Sequence, residues 1–358
     1  MARPPGHART RTVVTIAGGV VALLLPLVLV PLITGSSWQE IFGVLGDLTA
    51  AQVGVLGLVW LAGMFVHTYV STGALPGLTH RKALVLNFSG STVSHLAPFG
   101  GVLGMGLNYT MLRSWGFDGI GFSVLTLITN AWNVVVKLLL PALALAVILA
   151  FTQLGVHGLV TTSLVSLALL GAIAALVWIA LRPKSTDETG RIHRLAAGFL
   201  ERISGSHGST AISTLRDDVR HRVRTQWLRM ALGMFGYALL QASLLWLCVR
   251  AVGGGISPAG VFAAYAMGAA LTLVPITPGG VGFAEAGTAA LLVAFGEAPP
   301  AAAAAVLVYA TFTRWMEIPF GAAGMAWWWA RRPRSIELFS AKSTEARADC
   351  PEPDLPIG

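Results

Sequence analysis

The chain has 358 residues, of which 55% are hydrophobic and only 11% charged, less than half the ~25% charged share of a soluble domain. No soluble core needs that much apolar sequence, and several apolar runs exceed the ~20 residues that cross a bilayer, so a soluble enzyme is excluded. The net charge of +8 does not point to nucleic acid, because the basic residues are sorted by position along the chain.

A basic head with Arg3, Arg9 and Arg11 (residues 1–12) leads into a first apolar span over 13–34. That run is longer than the ~7–15 residues of a signal-peptide core, so it reads as a retained anchor. A second span is predicted over 52–75. Residues 83–114 are apolar but broken near the middle by Pro98-Phe-Gly100-Gly101. The third full span, 119–151, makes ~50 Å of helix and must tilt, protrude or bend near Pro141. A fourth covers 157–181.

A cytoplasmic linker follows over 182–226. In it Ile192, Leu195, Ala196, Phe199, Leu200 and Ile203 recur at helical spacing, predicting an amphipathic helix on the inner leaflet. The fifth span is 227–250. Residues 258–296 are again broken, by Pro278-Gly279-Gly280, and the sixth span covers 300–331. The tail from 333 to 358 is polar and expected to be disordered. The membrane domain is therefore 13–332.

Of the 24 lysines and arginines, all but Lys137, Arg250 and Arg314 fall in the head, the Arg81–Lys82 turn, Arg113, the stretch Arg182–Arg229 and the tail from Arg331. Segments 35–51, 152–158, 251–257 and 296–300 have none. This alternation places both termini in the cytoplasm and the protein in the cytoplasmic membrane. Cys248 lies in a span and Cys350 in the tail, so neither a disulfide nor a metal site is expected.

Each arm of the two broken stretches makes ~21–26 Å of helix, short of the ~30 Å hydrocarbon core. They are re-entrant hairpins or pairs of short tilted spans. One Pro-Gly-Gly is an ordinary turn. Two, entering from opposite sides, are the mark of an inverted-repeat transporter with a midplane site. The predicted fold is thus an all-α integral membrane protein: six full transmembrane helices and two oppositely oriented re-entrant helical hairpins.

Ionisable residues inside spans cost ~2.5–3.5 kcal/mol or more and need compensation. Lys137 sits midway along 119–151, with Asn130 and Asn133 before it and no acid one turn away. Arg314 and Glu317 share a helix face and are expected to pair, unless a site needs the cation. Glu285 follows the second break, where it serves chemistry or eases its own helix dipole. The outgoing arms, starting at Gly101 and Gly280, should offer free N–H groups to an anion. His67 and His95 read as packing histidines. Trp327, Trp328 and Trp329 before Arg331 read as an interfacial anchor.

The run Pro275-Ile-Thr-Pro-Gly-Gly-Val-Gly-Phe-Ala-Glu285-Ala-Gly287, closing at Gly296, resembles a signature of the lysyl-phosphatidylglycerol synthase transmembrane-region (flippase-like) family. Arg314-Trp-Met-Glu-Ile-Pro319-Phe-Gly321 is similar to the family's last-helix pattern. Leu96-Ala-Pro-Phe-Gly-Gly with Tyr109 to Gly116 is similar to its first hairpin. The resemblance implies a membrane domain that moves an aminoacylated or otherwise modified anionic lipid between leaflets. Many relatives carry an acid and an arginine just after the first glycines, where this chain has Val102, Leu103 and Gly104. Too few residues follow Arg334 for an aminoacyl-transferase domain, so synthase activity is expected to be absent.

The expected function is lipid translocation, with an anionic headgroup held in a midplane cavity. Glu285, Arg314 and Lys137 would contact it, and Pro98, Gly100, Gly101, Pro278, Gly279 and Gly280 would shape the cavity. No catalytic residue, cofactor or metal is expected. The partners are membrane lipids, and a homo-oligomer or an envelope-synthesis partner is compatible. The alternatives are a membrane-embedded enzyme on phospholipid or polyprenyl-phosphate with Glu285 as base, and a non-transporting subunit of such a complex.

Overall fold

Ser37 precedes Glu40 by three residues and Thr49 precedes Gln52 by three, the spacing at which a side chain and a backbone amide cap each other at a helix start. In the computed structural model, which describes residues 24–96, 100–151, 208–273 and 280–331, both capping boxes form. They open α2 (Trp38–Gly46) and α3 (Ala50–Ala74). A helix α1 (Leu24–Thr34) meets α2 at 103°. The stretch 35–51, which has no Lys or Arg, thus holds a short helix set across its neighbour rather than a plain loop.

The chain continues as α4 (His80–Leu96), α5 (Gly100–Ser114) and α6 (Gly119–Phe151), then α7 (Gly208–Ala251), α8 (Pro258–Leu271), α9 (Phe283–Ala294) and α10 (Pro299–Ala310). A π-helical turn, Thr311–Trp315, joins α10 to α11 (Glu317–Arg331). All regular structure among the described residues is helical. Among the described residues three helices are long and apolar enough to cross a membrane: α3, α6 over Gly119–Ile148 and α7 over Thr214–Ala251; the bent α1–α2 pair makes a fourth if read as one span.

Both predicted breaks fall where expected, between α4 and α5 and between α8 and α9. α6 matches its predicted bounds and runs unbroken through Pro141. α7 starts well before residue 227, so the second half of the predicted linker is a helical extension of the span. The span 157–181, the amphipathic stretch 192–203, residues 1–12 and the tail 333–358 lie outside the described residues.

In a bilayer, lipid tails are as apolar as leucine, so helices associate by close packing of small residues and by interhelical hydrogen bonds. α3 and α7 do so through glycine. A Cβ on Gly73 would lie 2.8 Å from Met230 Cγ, and one on Gly233 would lie 2.8 Å from Tyr69 Cβ. α10 buries the alanine run Ala301–Ala305 among α2, α7 and α9.

The first hairpin docks on α11. Ser89 Oγ donates to Gly321 O at 3.3 Å and Thr92 Oγ1 donates to Glu317 O at 2.9 Å. Trp328 is buried and its Nε1 donates to Ser114 Oγ at 2.8 Å. It pins α11 to α5 rather than anchoring the chain in the interface, while the Trp327 ring lies beneath the Arg331 guanidinium at 5.1 Å.

Candidate functional site

Both broken segments end at one cavity of about 360 Å³. The first contributes Ser91 and His95 from α4, and the second Thr272, Glu285 and Thr288. Lys137 and Asn133 reach it from α6, Tyr237 and Gln241 from α7, and Arg314 and Glu317 from the π turn and the start of α11. Polar groups from six chain segments thus meet where the apolar helices on either side offer none.

The sequence places Arg314 and Glu317 three apart, which on a regular α-helix is one face. The π turn alters that. Met316 N donates to Thr311 O at 2.8 Å, an i→i+5 bond that fits an extra residue into the turn. Arg314 Nε then donates to Glu285 Oε1, across from the second hairpin. The expected Arg314–Glu317 pair is replaced by an Arg314–Glu285 pair, because the extra residue turns the guanidinium away from Glu317 and toward α9.

Glu285 has a second task. Gly282 N donates to its Oε2 at 2.7 Å, so one oxygen caps the start of α9 and the other binds the guanidinium. One of the N–H groups expected to be free beyond Gly280, that of Gly282, is thus taken by the protein's own carboxylate. α9 begins only at Phe283, after a tight turn in which Gly280 and Gly282 take φ of 71° and 81°. That left-handed region suits glycine.

His95 is not a packing histidine. Its Nε2 lies 3.5 Å from Arg314 Nη1, and its Nδ1 lies 3.9 Å from Glu317 Oε2 without a hydrogen-bond partner. Glu285, Arg314, His95 and Glu317 therefore form one continuous polar row. His67 is better satisfied: Asn87 Nδ2 sits 3.1 Å from its Nδ1 and its ring packs on Tyr237, although it also borders a smaller cavity.

Lys137 faces the cavity and makes no ion pair or hydrogen bond with any described residue. Gly100 is buried where α5 begins, and Ser94 Oγ donates to its carbonyl at 3.2 Å. Gly101 is exposed, with open space where a Cβ would stand, so it shapes no close approach. Gly280 does: its Cβ would lie 2.8 Å from Thr272 Cα. Pro98, Pro278 and Gly279 lie outside the described residues. Among those residues no group of His, Cys, Asp or Glu is placed to hold a metal ion.

Sequence reasoning missed His95, Tyr237, Gln241 and Thr288. Tyr237 and Gln241 were findable, since two polar residues four apart inside an apolar span mark one inward face. His95 carried the weaker signal of a polar group three residues before the Pro98 break.

Apolar spans, two broken helices and ionisable groups gathered at the break define a multi-pass helical membrane protein with an internal polar site. The family model for the lysylphosphatidylglycerol synthase TM region matches residues 15–321. The chain belongs to that family, which ties it to lipid modification or translocation. No curated protein matches it.

Proposed function

We propose that the protein moves a lipid with a phosphate-bearing headgroup between the leaflets of the cytoplasmic membrane, holding the headgroup in the central cavity while the acyl tails stay in the bilayer. The observation that carries this reading is Lys137, a cation inside an apolar span facing the cavity with no protein partner among the described residues. A buried charge needs compensation, and a phosphate arriving in the cavity supplies it. Arg314 adds its remaining N–H donors, since Nε is held by Glu285 and Nη1 points at His95.

Glu317 lines the same space and forms no ion pair with Lys137. Opposite charges held apart on one cavity suit a headgroup carrying both a phosphate and an amine, which favours an aminoacyl-modified lipid.

The test is leaflet exchange of labelled phosphatidylglycerol and its aminoacylated form in proteoliposomes. Lys137→Met is expected to slow exchange at least tenfold, with an unchanged melting curve. Wild-type exchange rates in a folded Lys137→Met protein would sink the reading.

A further inference from the structure

The central cavity is not closed on every side. It shares Ser91, Asn133, Lys137, Tyr237 and Glu317 with a second cavity of about 310 Å³. That one shares His67, Asn87, Met105, Asn108 and Asn133 with a third of about 180 Å³. The three follow one another along α6 from Lys137 back to Phe122.

On α6 the lining residues Thr126, Asn130, Asn133 and Lys137 recur at intervals of three and four, one face of a helix and ~16 Å of it. α4 answers with Asn87, Ser91 and Ser94, and α5 with Asn108. Gly90 makes room for that amide, since a Cβ there would lie 2.7 Å from Asn108 Nδ2. Asn108 Oδ1 and Asn133 Oδ1 are buried without a hydrogen-bond partner. Inside an apolar span unpaired amides are costly, and water in the adjoining cavity lowers that cost.

Past Lys137 the lining turns apolar. Among the described residues Leu140 and Ala144 of α6 join Leu245, Ala302 and Val306 in the buried core, and the cavity of about 970 Å³ further along, beside Val147 and Ile148, is lined mainly by apolar side chains such as Leu239, Trp246 and Phe295. Met105, which lines the two outer cavities, is 43% exposed, so among the described residues α5 forms the outermost wall of the chamber.

We infer that the asparagine-lined chamber between α4, α5 and α6 is a water-filled path for the lipid headgroup, leading from the central cavity to the membrane face that bears the 75–79 and 115–118 turns. Among the described residues the polar lining runs toward that face and gives way to apolar side chains toward the other. The transit role rests on the proposed lipid movement; the water-filled path does not.

The experiment places single cysteines in a protein with Cys248→Ser and Cys350→Ser, reconstituted in vesicles and treated with a membrane-impermeant thiol reagent from either side. Thr126→Cys, Asn130→Cys and Asn133→Cys should react from one side only, progressively more slowly with depth. Leu127→Cys and Val134→Cys, on the exposed apolar face of the same helix, should not react. Equal reactivity of both sets, or labelling of Asn133→Cys from the opposite side, overturns the chamber whether or not lipid moves.

The transit role is read separately. Asn108→Leu with Asn133→Leu, which leaves Lys137 and Arg314 in place, should cut exchange of labelled phosphatidylglycerol at least tenfold. If the wild type exchanges lipid and the double variant keeps its full rate while one-sided labelling holds, the path serves only water and the headgroup travels elsewhere. If the wild type exchanges no lipid at all, the translocation reading fails, and labelling still decides the chamber.

Discussion

At the first break, α5 starts from a buried Gly100 and then turns outward: Val102 and Leu103 are 65% and 51% exposed. At the second, Gly280 lies on the backbone of Thr272, Gly282 is capped by Glu285, and Ala286, Ala289 and Leu292 of α9 are buried. The base of that hairpin is tied down too, where Gly255 N and Ile256 N donate to the buried Glu297 at 3.1 and 3.4 Å. Two segments with similar Pro/Gly punctuation are thus held differently. The second is fixed by an ion pair and a carboxylate cap, with the end of α9 around Phe295 exposed. Among the described residues the first has no such charge: α5 closes on α4 through glycine, a Cβ on Gly104 lying 2.6 Å from Gly90 O, and α4 docks on α11. The lesson is that a repeated motif specifies a break in a helix, and its neighbours decide whether the break is a rigid pillar or a wall beside a passage.

The difference is sharpest at the ion pair. Arg314→Met leaves the 6%-exposed Glu285 without its cation, and breaking a buried pair from one side costs ~3–5 kcal/mol. A large drop in detergent melting temperature is expected. Adding Glu285→Gln should restore most of it, because no bare charge remains. A double variant as unstable as the single one would show that the pair does not hold the second hairpin in place.

Next in size comes a matched glycine pair. Gly280→Leu forces a branched residue into a left-handed conformation, about 1–2 kcal/mol, and drives its Cβ onto Thr272. It should lower the melting temperature and abolish lipid exchange. Gly101→Leu meets open space in a helix, where leucine is favoured by under ~1 kcal/mol, so its melting temperature should hold or rise slightly. Equal damage from the two would erase the contrast between the breaks.

The smallest effect is expected from Ser94→Ala, which removes the hydroxyl that spans the first break to Gly100 O. Such a bond contributes about 0.5–1.5 kcal/mol. The melting temperature should fall by a few degrees at most, read in the same assay. A loss as large as that of Arg314→Met would mean that the first hairpin is the more tightly fixed of the two.

Much of this fold was legible because hydrophobic length and Pro/Gly punctuation are local. The stretch 119–151 came out to the residue as α6, and both breaks were visible from Pro98 and Pro278 onward. The capping box from Ser37 to Glu40 was equally local, and it explains the helix hidden in 35–51. The charges fared differently. Three-residue spacing on an α-helix offers Glu317 as the partner of Arg314, beside the reading that a site needs the cation, and nothing in Thr311–Trp315 announces a π turn. Its true partner lies 29 positions away and is set by the docking of two elements, which no local pattern encodes. Trp328 misled for the same reason, since a Trp-Trp-Trp run before Arg331 looks like an interface belt until Ser114 is brought beneath it.

The π turn also lets one rod serve two sets of partners. An inserted residue advances the helical phase by about 100°, so the faces of α10 and α11 are not collinear. The alanine face of α10 looks toward α2, α7 and α9, whereas Gly321 of α11 looks toward Phe88 and Thr92 of α4. Each hairpin therefore rests on its own half of a single continuous helix. Deleting one residue between Thr311 and Trp315 would bring the halves back into phase, and α4 and α9 would then compete for the same side.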